Sequence, residues 1–160
     1  MFRERAAVAL LILPVFFWII AQGGGPYLAA VVLALGLAAR EYVALFRRHG
    51  YRPAGPLVIL GVAALAAGRF YTQFESAPAT LAAACLGCLT WHLVDYERGA
   101  ARSGTDFAIS LAGIVYLGWI GAFLISLRQL PQGEWWLLTA LPAVWIADSA
   151  AYLVGKAVGR

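Results

Sequence analysis

Residues 27–46 read Tyr27-Leu28-Ala29-Ala30-Val31-Val32-Leu33-Ala34-Leu35-Gly36-Leu37-Ala38-Ala39-Arg40-Glu41-Tyr42-Val43-Ala44-Leu45-Phe46. About 20 apolar residues at 1.5 Å rise cross a ~30 Å hydrocarbon core, so this run is read as a transmembrane helix. It ends at Arg47-Arg48-His49-Gly50-Tyr51-Arg52-Pro53, where basic residues with Gly and Pro mark the return to water. Working outward, one similar run precedes it at about 6–21 and four follow, at about 57–74, 77–94, 106–127 and 135–154. The expected fold is all-α: a polytopic transmembrane helical bundle of about six spans, with 1–160 forming a single transmembrane domain.

Composition points the same way. Of 160 residues, 62% are hydrophobic and 12% charged, with a mean hydropathy of +0.78, about half the charge of an ordinary soluble domain. The spans leave about 40 positions for connections, too few for a separate soluble domain. Between the first two spans, Gln22-Gly23-Gly24-Gly25-Pro26 reads as a tight hairpin, a run that no helix interior carries. The longest polar stretch is 95–104. Arg3 and Arg5 ahead of the first run resemble a secretion signal, but no small-x-small cleavage pattern follows and five more runs do, so the segment is read as the first anchor.

Charge gives the orientation. Arg3, Arg5, Arg47, Arg48, Arg52, Arg98, Arg102, Lys156 and Arg160 fall on one side of six alternating spans. Only Arg69 and Arg128 fall on the other, and Arg40 lies inside the second span. The excess places both termini in the cytoplasm. The net charge of +4 is thus a matter of topology, and no nucleic-acid partner is expected. Cys85 and Cys88 lie in an apolar run, where they read as two small hydrophobes. A zinc site would need two more ligands, and only His92 is near. His49 reads as a solvent-facing loop residue, and His92, near a helix end, as an interfacial one.

Three ionisable groups inside apolar runs are functional candidates, because charge at the bilayer centre costs ~2.5–3.5 kcal/mol on insertion scales. Arg40 and Glu41 lie close enough to Arg47-Arg48 to snorkel or to pair at the inner boundary. Asp148 follows an unbroken apolar stretch and lies about 10 Å below that boundary, where a short carboxylate must face a partner, an ion or a wet cavity. Asp148, Tyr152 and Lys156 at i, i+4 and i+8 line one helix face, beside the small-residue strip Ala147, Ala151, Gly155 and Gly159. The face suits either a cleft or a packing Asp hydrogen-bonded across the bundle. Pro142 either opens a pocket or simply kinks the span.

The stretch Val144-Trp145-Ile146-Ala147-Asp148-Ser149-Ala150-Ala151-Tyr152-Leu153-Val154-Gly155-Lys156-Ala157-Val158-Gly159-Arg160 resembles the W-(L/I)-x-D-(S/T)-x-A-Y-x-x-G-(R/K)-x-x-G-(K/R) segment of bacterial phosphatidate cytidylyltransferases, the CDP-diacylglycerol synthases. Ala38-Ala39-Arg40-Glu41-Tyr42 is similar to that family's A-x-W-E-(F/Y) segment. Ile114-Val115-Tyr116-Leu117-Gly118-Trp119, closing at Leu127-Arg128, is similar to its Y-(I/V/L)-G helix ending in L-R.

The resemblance implies condensation of CTP with phosphatidic acid to CDP-diacylglycerol and pyrophosphate, in phospholipid biosynthesis. The setting would be a cytoplasm-facing cleft of a multi-pass protein of the bacterial inner (plasma) membrane, helped by Mg2+ or another divalent cation. On that reading Asp148 is catalytic and holds the metal or orients the phosphates, and Ser149 and Tyr152 bind substrate by hydrogen bonds. Lys156 is assigned to meet a phosphate from its charge and its place on the same face.

The family's S-x-x-K-R, K-D and H-G-G-x-x-D-R-x-D segments do not occur in this sequence. Metal-assisted phosphoryl transfer needs several carboxylates, which Asp148 alone does not supply. The expectation is therefore an N-terminal portion of a longer domain, inactive alone, its partners the bilayer and either the missing C-terminal half or a homo-oligomer. The rival expectation is a non-enzymatic small membrane protein or transporter fragment using its intramembrane Asp. The alcohol phosphatidyltransferase signature, a P-loop and a zinc-protease motif are all absent.

Overall fold

The computed structural model describes residues 14–159, all helix and connecting turns with no strand among them. Residues 14–22 form α1, followed by α2 (Gly24–Arg48), α3 (Gly55–Thr72), α4 (Ala77–Glu97) and α5 (Ser103–Gly113). A π-helical segment, Ile114–Ile120, comes next, then α6 (Phe123–Gln129) and α7 (Gly133–Val158). Five stretches among the described residues are long and apolar enough to cross a membrane: α2, α3, α4, Ser103–Gln129 and α7. The expected first span begins outside the described residues. With leucines such as Leu33, Leu60 and Leu86 64–65% exposed on these helices, the chain is a membrane protein whose outer faces meet lipid.

The described residues divide into two compact units, one of residues 24–126 and one of residues 14–23 with 127–159. In the first, α3 is the central helix, packed against α2, α4, α5 and the π-helical segment. Its inward face is Gly55, Val58, Gly61, Val62, Leu65 and Ala66, a helical spacing that buries one stripe. Val58, Val62 and Leu65 join Ala39, Val43, Cys88 and Ile114 in one core cluster, so Cys88 packs as a small hydrophobe with a free thiol.

Close approach depends on absent side chains. A Cβ on Gly118 would lie 3.1 Å from the Val62 Cα and 2.8 Å from a Leu65 methyl, so the π-helical segment sits directly on the α3 backbone. The loop between α3 and α4 holds Gln73 and Phe74 at φ of 49° and 75°, strained values for residues bearing Cβ. Packing fixes the Phe74 ring, which stacks on Trp119 at 5.3 Å while the Arg69 guanidinium lies 4.6 Å from its centroid.

In the second unit Arg128 is the organising residue. Its Nε donates to the Ile20 carbonyl at 2.7 Å and its Nη2 to that of Ala21 at 3.1 Å, satisfying carbonyls at the end of α1. The same guanidinium pairs with Glu134 in the first turn of α7 at 3.3 Å. Phe16 packs on Trp145, with ring centroids 5.9 Å apart.

Three sequence expectations change. The Gly-Gly-Gly-Pro hairpin contracts to its first residues: Gly23 takes φ +63°, and α2 begins at Gly24. Pro26 sits in the first turn of α2, where no N–H is required of it. The polar stretch 95–104 is helical at both ends, since α4 continues to Glu97 and α5 starts at Ser103, leaving 98–102 as the connection. The fifth span is interrupted by the π-helical segment, which coincides with the Ile114–Trp119 stretch singled out by family resemblance.

Candidate functional site

The four site residues expected from the sequence all lie on α7, which continues across Pro142 to Val158. Helical geometry puts Asp148, Tyr152 and Lys156 on one face, with Ser149 one position round from Asp148. All residues from 143 to 159 are exposed. Among the described residues, none of these four makes a hydrogen bond or ion pair, and no three His, Cys, Asp or Glu side chains converge to hold a metal. A lone carboxylate binds Mg2+ only together with further oxygen ligands such as substrate phosphates. The described residues therefore do not by themselves bring together a metal centre.

The unit of residues 24–126 holds a polar network that the sequence reading missed. Asp106, 3% exposed in the first turn of α5, accepts a hydrogen bond at Oδ1 from the Arg52 backbone N–H at 2.8 Å. One turn on, the fully buried Ser110 hydroxyl accepts from the Ala54 N–H at 2.9 Å and donates to the Asp106 carbonyl at 2.8 Å. His92 Nε2 lies 3.0 Å from the same hydroxyl. Since Ser110 has one proton and gives it to Asp106, His92 must donate, which fixes the Nε2–H tautomer and leaves Nδ1 an acceptor. Nδ1 is buried without a hydrogen-bond partner, 3.7 Å from the Asp95 carboxylate.

His92 is 2% exposed, buried in the protein against Ser110, a partnership that its place near a helix end did not suggest. What could have revealed it is the i, i+4 spacing of Asp106 and Ser110, two polar residues one turn apart on a largely apolar helix. Arg40 and Glu41 are both exposed at the surface of α2. Their neighbour Tyr42 has the more definite role, its hydroxyl donating to the Ile109 carbonyl at 2.9 Å and so tying α2 to α5.

Comparison with known proteins supplies the context for both faces. A model of the cytidylyltransferase family matches residues 3–160. A phosphatidate cytidylyltransferase of Synechocystis sp. is 25% identical over 187 aligned positions, covering 98% of this chain. The chain spans 61% of the length of that relative. No solved structure matches.

Proposed function

The chain belongs to the cytidylyltransferase family, and from that membership we propose that it is the front portion of a phosphatidate cytidylyltransferase. The reaction joins CTP to phosphatidic acid, forming CDP-diacylglycerol and releasing pyrophosphate. The observation that carries the reading is the match running from residue 3 to residue 160, together with a curated relative of that name aligned along 98% of the chain. The fold is compatible: apolar helices retain a lipid substrate in the bilayer plane, and a polar face on one of them offers groups to a water-soluble nucleotide.

In this proposal Asp148 orients the phosphates or contributes one oxygen to a divalent cation, whose role is to neutralise charge on the transferring phosphoryl group. Lys156, two turns on, meets a phosphate as a point charge, and Ser149 and Tyr152 donate hydrogen bonds to substrate. The face opens to the cytoplasm of a bacterial inner membrane, where CTP is found and where the basic loops belong. Further carboxylates come from the portion of the family domain beyond the aligned 61%.

The test is co-expression of this chain with the remaining portion of the Synechocystis relative, followed by assay of the membranes for CTP-dependent CDP-diacylglycerol formation from added phosphatidate. Product above the level given by either portion alone supports the proposal. Membranes in which both portions are present and inserted but make no product contradict it.

A further inference from the structure

A pocket of about 270 Å³ opens where the loop after α2 meets the loop before α5. Arg52, Arg98 and Arg102 line it, with Gly50, Gly99 and Asp106 among the other contributors. Three arginines and one aspartate therefore line a single pocket, and arginines do not deprotonate in proteins. That carboxylate is already engaged, since its Oδ1 accepts the Arg52 N–H at 2.8 Å. No side chain caps α5, whose N-cap is Arg102 itself, so the open N–H groups of its first turn add to the positive potential. Arg102 is held beside the pocket by the Tyr51 ring, 5.8 Å from its guanidinium carbon.

A second cavity of about 550 Å³ shares Arg98 with the first. Its wall runs along one face of α4 through Gly87, Trp91, Val94 and Asp95 to Arg98, with Leu57 of α3 opposite. The spacing is that of successive helical turns, so the groove leads down the helix and ends at the arginine pocket. Gly87 faces Leu57 across it, a Cβ there lying at ordinary contact, 3.7 Å from a Leu57 methyl.

We infer that this pair of cavities is a binding site for an anionic glycerophospholipid, its phosphate among Arg52, Arg98 and Arg102 and one acyl chain in the groove of Leu57, Gly87, Trp91 and Val94. Arginine matches a phosphate with paired N–H donors, and a free phosphate would have no use for the apolar groove that continues from Arg98. The site lies wholly within residues 24–126 and does not rest on the reaction proposed above.

The test is calorimetric titration of the 160-residue chain in neutral detergent with dioctanoyl phosphatidylglycerol, dioctanoyl phosphatidylcholine, CTP and inorganic phosphate separately. Phosphatidylglycerol is expected to bind at least about ten-fold more tightly than phosphatidylcholine, and the triple variant Arg52→Gln/Arg98→Gln/Arg102→Gln to lose at least about ten-fold in that affinity. Gly87→Leu, which fills the groove, is expected to weaken phosphatidylglycerol alone, and Arg48→Gln to leave every affinity unchanged.

Equal binding of the two lipids, or a triple variant that binds like the parent, overturns the inference. So does phosphatidylglycerol binding that ignores Gly87→Leu while CTP or phosphate competes for it, since the pocket would then take a free phosphate. Should the triple variant lose helical content, Arg98→Gln alone decides, with about a three-fold loss expected and no loss overturning.

Discussion

The Arg52 backbone N–H and the Asp106 carboxylate are joined across 2.8 Å and 54 positions of sequence. This bond fixes the loop after α2 to the first turn of α5. Removing the acceptor leaves a partly buried donor unpaired, at a cost toward the lower end of ~1–3 kcal/mol. Asp106→Ala should lower the unfolding free energy in detergent by about that amount, whereas Asp106→Asn, which keeps an oxygen at the same place, should lower it less. Equal stability of Asp106→Ala and the parent would mean that the bond contributes nothing.

The single proton of Ser110 makes a sharper prediction one turn away. His92 should carry its proton on Nε2 and leave Nδ1 bare. Nitrogen-15 chemical shifts of selectively labelled histidine would read this directly, and a neutral Nδ1–H form would contradict the hydrogen-bond order Ala54 to Ser110 to Asp106.

Contact between the π-helical segment and α3 rests on a missing side chain. Gly118→Val would push into the Val62 backbone and the Leu65 side chain, and overpacking of this kind costs ~1–3 kcal/mol. Thermal unfolding should report a clear loss for Gly118→Val and none for Gly36→Ala, at a site where an added Cβ meets nothing within 4 Å.

Much of this architecture could be read from residues alone, and what could not has a physical cause. The runs around Tyr27–Phe46 and its neighbours carry their own length, so helices were legible wherever apolar residues continue for about 20 positions. Helix ends were less so, because Asp95, Glu97 and Ser103 are polar yet compatible with helix, and hydropathy alone cannot separate a helical end from a turn. The π-helical segment left no trace in hydropathy, since Ile114–Ile120 is as apolar as its flanks. The burial of His92 was not legible because its partner Ser110 lies 18 positions away and on another helix. At Asp148 a face of α7 was legible, and among the described residues no three His, Cys, Asp or Glu side chains gather to hold a metal there.

Orientation is open to direct labelling. In a Cys85→Ala/Cys88→Ala background, Ala101→Cys should resist a membrane-impermeant maleimide in intact cells and react once they are permeabilised. Glu75→Cys, in the loop at the other end of α3, should react without permeabilisation. The reverse pattern would overturn the cytoplasmic placement of the basic loops.

The most direct test of the account is the turnover assay with Asp148 altered. With the remaining portion of the relative supplied, Asp148→Asn keeps the shape and removes the charge, and should cut CTP-dependent CDP-diacylglycerol formation by about 100-fold or more. Lys156→Ala should weaken CTP use more mildly. A variant Asp148→Asn that is inserted in the membrane and turns over at the parental rate would contradict the assignment of this face of α7 to the reaction.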